Sequence, residues 1–123
     1  RICYICYNKN MGYKNTLQKG SVRYIIFKEG GSWYGVALEF NIVEEGDNPL
    51  DVMASLFQAI QGYVETARKL KMRPIPLNQK PDKEYQKLWE RLEKSKTEGI
   101  TKPEQVYTFG YTPFRSRDYA FAS

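Results

Sequence analysis

The side chains best able to do chemistry in this chain are carboxylates crowded into one stretch. ALEFNIVEEGDNPLD (37–51) holds Glu39, Glu44, Glu45, Asp47 and Asp51, with no Lys or Arg among them. Clustered acids can hold divalent cations, move protons or meet a basic partner. A two-metal nuclease needs carboxylates converging within about 4 Å of paired ions, ordinarily from different elements. Here the five acids follow one another in sequence. Glu44 and Glu45 project to opposite faces if their segment is a strand. The apolar run VRYIIF (22–27) brings no acid to join them. The chain contains no His, which removes the commonest general base and metal ligand, and with it every Ser–His or Cys–His pair. Its two cysteines, Cys3 and Cys6, form a single CxxC inside a run that reads as strand. A closed zinc site takes four Cys or His ligands, and a redox CxxC opens a helix, so these thiols are expected to be unreactive. The lone Gly pair, Gly30-Gly31, separates two strand-like runs, and no Gly-rich turn opens a helix around a phosphate. Catalytic, metal-binding and cofactor-binding residues are therefore all expected to be absent. The chain reads as non-enzymatic.

What remains is recognition. The net charge is +5, from 19 basic and 14 acidic side chains. With the five acids of 37–51 set aside, 19 cations face 9 anions in the remainder of the chain. A basic body favours loose contact with nucleic acid, whereas the acidic stretch repels it and suits a basic protein. Glu39, Glu44, Glu45 and Asp47 are the residues expected to pair with such a partner, with Trp33 and Ala37 supplying apolar contact. Nucleic acid is a second class of partner, though no DNA-binding motif points to it.

The elements that must position these residues are legible in the patterning. VRYIIF (22–27) is β-branched and aromatic, WYGVALEF (33–40) alternates, and EGGS between them provides a tight hairpin turn. Tyr34, Val36, Leu38 and Phe40 share one face of the second strand and read as its core side. Trp33, Gly35, Ala37 and Glu39 share the other, more mixed face. NIVEE (41–45) reads as a short third strand. A helix follows: Asn48 can cap it, Pro49 suits its first position, and Asp51 lies in its first turn. Val52, Leu56, Ile60, Tyr63, Val64 and Ala67 recur at helical spacing, and RPIP (73–76) ends the run. DKEYQKLWERLEKSK (82–96) is a second, charged helix with a narrow apolar stripe of Tyr85, Leu88, Trp89 and Leu92. QVYTFGYTPF (105–114) can supply another short strand.

These elements predict an α+β fold. An antiparallel sheet carries the long helix on one face, and the charged C-terminal helix docks along an edge. The expected division is an N-terminal extension over 1–20, a ββ(β)α core over 21–80, and a C-terminal helix with an aromatic tail over 81–123 packing on that core. An outer sheet face exposing Ile25, Phe27 and Trp33 would draw the chain into a homodimer or higher assembly. No apolar run approaches the ~18 residues that cross a bilayer, and RICYICY is too short for a signal peptide. A cytoplasmic location without membrane attachment is the expectation.

YIIFKEGGSWYGVALEFNIVEEGDNPLDVMASLFQAIQGYVETA (24–67) resembles the HicB family of antitoxins and their HicB-like relatives. The resemblance rests on Tyr24, the Gly30-Gly31 turn, WYGVALEF, EEGD (44–47), Leu50, the stretch Ala59–Tyr63 and the Ile-Pro step of RPIP. It covers about a third of the chain. It implies a partial RNase H-like sheet without nuclease carboxylates. It also implies binding and occlusion of a small basic mRNA-cleaving toxin of the HicA kind, as one half of a type II toxin–antitoxin pair. The acidic stretch and an uncovered sheet face would then be the docking elements. LEFNIVE (38–44) replaces the family's usual Pro-Asp-Leu-Pro-Gly segment, and no ribbon-helix-helix or helix-turn-helix module follows. A stand-alone HicB-like nucleic-acid-binding or regulatory module is the alternative reading.

Overall fold

The computed structural model describes residues 14–99 and 105–115. Its elements run β1 (Lys19–Glu29), β2 (Ser32–Ala37), β3 (Ile42–Gly46), α1 (Pro49–Lys69), a 3-10 turn (Ile75–Leu77), α2 (Lys83–Thr97) and β4 (Val106–Arg115). The four strands form one antiparallel sheet in the order β3-β2-β1-β4. The fold is thus α+β, as patterning implied. Cys3 and Cys6 lie outside the described residues.

Local chemistry accounts for each junction. Gly30 and Gly31 both have positive φ, +61° and +87°, which the two-residue hairpin between Glu29 and Ser32 demands and other residues resist. Asn48 caps α1 by accepting from the Leu50 N–H at 2.8 Å and the Asp51 N–H at 3.4 Å. Pro49 occupies the first turn of the helix, while Arg68 and Lys69 sit in its last turn, complementing the dipole. Asp82 caps α2 through the Glu84 N–H at 2.9 Å.

Both faces of the sheet are covered by helix, which corrects the expected exposed outer face. On one face Val22, Ile26, Ala37 and Phe40 pack with Val52, Leu56, Ile60 and Val64 of α1. On the other, Ile25, Phe27, Val36 and Leu38 pack with Trp89 and Leu92 of α2 and with Val106. Ile25 is fully buried and Phe27 is 8% exposed, so neither forms a surface patch. The face chosen by α1 is the one that reads as mixed. Small residues allow the close approach: a Cβ on Gly35 would lie 2.9 Å from Val52 Cγ1 and 3.3 Å from Leu56 Cδ2. The expected core side, with Tyr34, Val36 and Leu38, turns instead toward α2. Strand β2 ends at Ala37, and a turn over 38–41 swings Phe40 to the α1 side. Each large side chain buried in either layer contributes roughly 1.5–3 kcal/mol.

The connector between the helices carries the chain from one face to the other around that turn. The Tyr63 hydroxyl donates to the Pro76 carbonyl at 2.9 Å, and Gln79 donates from its side chain to the same hydroxyl at 2.7 Å. The Gln79 backbone N–H donates to the Glu39 carbonyl at 2.9 Å. The segment before β1 is tied to the same place: the Asn15 side chain donates to Leu77 O and accepts from the Ser21 N–H, both at 2.8 Å.

Candidate partner-binding site

The acids nominated from sequence separate into distinct environments. Glu39 is committed inside the fold. Its Oε1 accepts from the Arg23 backbone N–H at 2.8 Å, and its Oε2 accepts from Arg23 Nε. The same guanidinium lies 5.4 Å from the centre of the Trp89 ring on α2. Ala37 is fully buried beneath α1 and presents no surface to a partner. These two positions leave the expected contact set on structural grounds.

Glu44, Glu45 and Asp47 stay together on β3 and the loop that follows it. Among the described residues β3 pairs only with β2, leaving its outer backbone edge open. Register fixes where the side chains go. Glu44 lies opposite Gly35 and Ile42 opposite Ala37, on the α1 face; Val43 lies opposite Val36 and Glu45 opposite Tyr34, on the α2 face. Val43 is 48% exposed and Leu50, at the start of α1, is 60% exposed. The edge therefore alternates carboxylates with uncovered apolar groups. Sequence reading missed Val43 and Leu50, which it counted as a strand residue and a first-turn helix residue. The available signal was an apolar side chain on each side of EEGDNP with no partner element left to cover it.

The α2 side of this edge is negative beyond β3. The Glu45 carboxylate across the strand pair is the chief cause of a raised Tyr34 phenol pKa, followed by burial and by Glu29. Tyr85 of α2 is raised by burial first, then by Glu84, Asp82 and Glu29. Glu29 of β1 acts on both phenols, Glu45 of β3 on Tyr34, and Glu84 and Asp82 at the start of α2 on Tyr85. A cation arriving along β3 would meet several charges at once.

Trp33 stands at the hairpin end of the α1 face and is half-buried. Lys28 Nζ lies 5.9 Å from its ring centre, and Tyr107 meets it edge-on with ring centres 6.2 Å apart. It adjoins β3 through its pairing with Gly46. Among the described residues no group of three or more Cys, Asp or Glu side chains is placed to hold a metal ion. A groove of about 350 Å³ between α1 and β4, lined by Ile60, Val64, Arg68, Thr112 and Phe114 among others, includes none of the nominated acids. No helix in the described residues is long and apolar enough to cross a membrane.

No family model, no curated protein and no solved structure matches the chain.

Proposed function

We propose that this chain is a non-catalytic, HicB-like binding protein that captures a small basic protein along the β3 edge. Its biological role on this reading is that of an antitoxin, occluding an mRNA-cleaving toxin of the HicA kind. One observation carries the reading: Glu44, Glu45 and Asp47 share an open strand edge with the exposed apolar groups of Val43 and Leu50. An edge strand offers backbone hydrogen bonds to an incoming strand, with alternate side chains setting its selectivity. Acids on both faces of β3 select for Lys and Arg and deter a second acidic edge. Glu39 and Ala37 have no part in this contact, and Trp33 contributes at its end.

The test is co-expression of the full chain with HicA-like toxins. Wild-type protein is expected to relieve growth arrest by a cognate toxin and to co-purify with it. Glu44→Lys combined with Glu45→Lys is expected to weaken capture at least tenfold at low salt, with thermal stability nearly unchanged. Equal binding by the double variant would overturn the role of the acids. Failure of the wild-type chain to bind or neutralise any toxin of that kind would overturn the antitoxin reading.

A nucleic-acid-binding role has one observation in its favour. Tyr111 is 52% exposed on β4, with Lys14 Nζ 5.3 Å from its ring centre, a pairing that could stack a single-stranded base. Such binding must fall steeply with salt. It is the weaker reading, because the nearby Arg23 is already engaged with Glu39 and Trp89.

A further inference from the structure

On the α1 side of the sheet the helix packs over β1 and β2, and the groove of about 350 Å³ opens between it and β4. Register against β1 puts Thr112 and Phe114 on this face, opposite Val22 and Gly20. Phe57, Ile60, Val64 and Arg68 line the groove from α1, at successive turns of one helix face. The aromatic walls are held in place by the core. A Cβ on Gly20 would lie 2.8 Å from Phe114 Cζ, so the glycine makes room for that ring. Phe40 lies 5.9 Å from Phe114 between ring centres, and Tyr24 meets Phe57 edge-on at 5.2 Å.

Arg68 stands at the C-terminal end of the helical wall and is half-buried. Its Nε donates to the Leu17 carbonyl at 2.6 Å. Its Nη2 is shut off from water and has no acceptor among the described residues. A buried donor in that condition is uncommon and calls for an acceptor. Glu65 also lines the groove but makes no ion pair with Arg68 among the described residues. Arg115 lines it too and has a contact of its own, so the missing acceptor is assigned to Arg68.

We infer that this groove binds a small aromatic monocarboxylate, its ring between Phe57 and Phe114 and its carboxylate on Arg68. With Nε taken by Leu17, Nη1 and Nη2 remain as a two-pronged donor that matches two carboxylate oxygens. Edge-on and offset contacts with the two Phe rings favour an aromatic body. Glu65 repels a second negative charge, which selects against dicarboxylates and phosphate esters. The volume lies at the small end for ligand sites, suited to one ring and a short side chain. None of Glu44, Glu45 and Asp47 lines this groove, so the site stands apart from the β3 edge and from any partner bound there.

The test is an NMR titration of the full chain with benzoate, phenylacetate and 3-phenylpropionate. At least one acid is expected to bind with a dissociation constant on the order of 0.1–1 mM, moving the amides of Val64, Arg68, Thr112 and Phe114. The matching carboxamide keeps the ring and loses the charge, and should bind about tenfold more weakly or worse. In Arg68→Gln the acid should lose this advantage and bind no better than the amide. Absence of binding by all of these acids up to about 10 mM overturns the inference. So does equal affinity of acid and amide for the wild-type chain, or a perturbation centred away from the groove. Should Arg68→Gln fail to fold, the comparison of acid with amide on the wild-type chain decides.

Discussion

The two carboxylate oxygens of Glu39 are divided between the backbone N–H and the side chain of one residue, Arg23. This bidentate contact closes the end of the β1–β2 ladder, where Leu38 N–H still reaches the Arg23 carbonyl at 2.9 Å. Both side chains are over four-fifths buried, at 16% and 17% exposure. Glu39→Ala leaves a backbone donor and a guanidinium without their acceptor, and is expected to cost about 1–3 kcal/mol in urea unfolding. Binding of the proposed basic partner by the surviving folded protein should be unchanged. Loss of capture without loss of stability would return Glu39 to the interface.

Glycines on opposite sides of α1 should respond to the same substitution with opposite sign. Gly35 lies under the helix, where an added Cβ meets Val52 at 2.9 Å and Ile26 Cδ1 at 3.1 Å. Gly35→Ala is expected to destabilise by about 1–3 kcal/mol through overpacking. Gly62 is on the solvent side of α1 with nothing within 4 Å of a Cβ. Gly62→Ala should stabilise by about 0.5–1 kcal/mol, by helix propensity and loss of unfolded-state freedom. Thermal melts of both variants check the pair.

The hairpin, the third strand and α1 were legible because their signals are local. Gly30-Gly31 dictates its own turn, and Asn48 with Pro49 dictates a helix start. The assignment of faces was not legible. Both faces of β2 are apolar because both are covered, so alternation cannot say which helix lies where. Gly35 and Ala37 made their face read as mixed, whereas small volume is what admits α1. The role of α2 was equally hidden: a narrow stripe of Tyr85, Leu88, Trp89 and Leu92 looks like edge docking until Ile25 and Phe27 are seen beneath it. Within the acidic stretch, Glu44 and Glu45 lie on β3 and Asp47 directly follows it, as their adjacency in sequence implies. The commitment of Glu39 was not legible, because Arg23 is sixteen positions away and only strand register brings it near.

Among the described residues Asn15 is the one buried polar side chain, at 1% exposure, and it joins three parts of the fold. It donates to Leu77 O and accepts from Ser21 N–H, while its backbone N–H and carbonyl are both taken by the Asn78 side chain, at 2.8 and 2.9 Å. Asn15→Leu keeps the branched heavy-atom skeleton and removes the acceptor and donors, stranding the Leu77 carbonyl and the Ser21 N–H. A loss of roughly 2–4 kcal/mol is expected, from two buried groups at about 1–3 kcal/mol each with partial relaxation. Asn15→Asp retains the acceptor and should cost less below the carboxyl's own titration range. A urea midpoint within error of wild type for Asn15→Leu would show the clasp to be dispensable.

Alkaline pH should destabilise the fold through Tyr34 and Tyr85. Both phenols have their pKa raised above 10, Tyr34 chiefly by Glu45 and Tyr85 chiefly by burial. In the unfolded chain they ionise at the ordinary value near 10. Below that pH both states hold the phenolic proton and the contribution is constant. As pH rises past 10 the unfolded state sheds its protons first, so it binds fewer than the folded state and unfolding becomes easier. Stability should therefore fall from about pH 10 upward and level off only once the folded phenols have ionised too. Glu45→Gln removes the largest cause at Tyr34 and should bring that phenol's ionisation down toward 10, visible at 295 nm as a difference titration against Tyr34→Phe. An unchanged Tyr34 titration in Glu45→Gln would place the cause elsewhere, and with it the negative field assigned to the β3 edge.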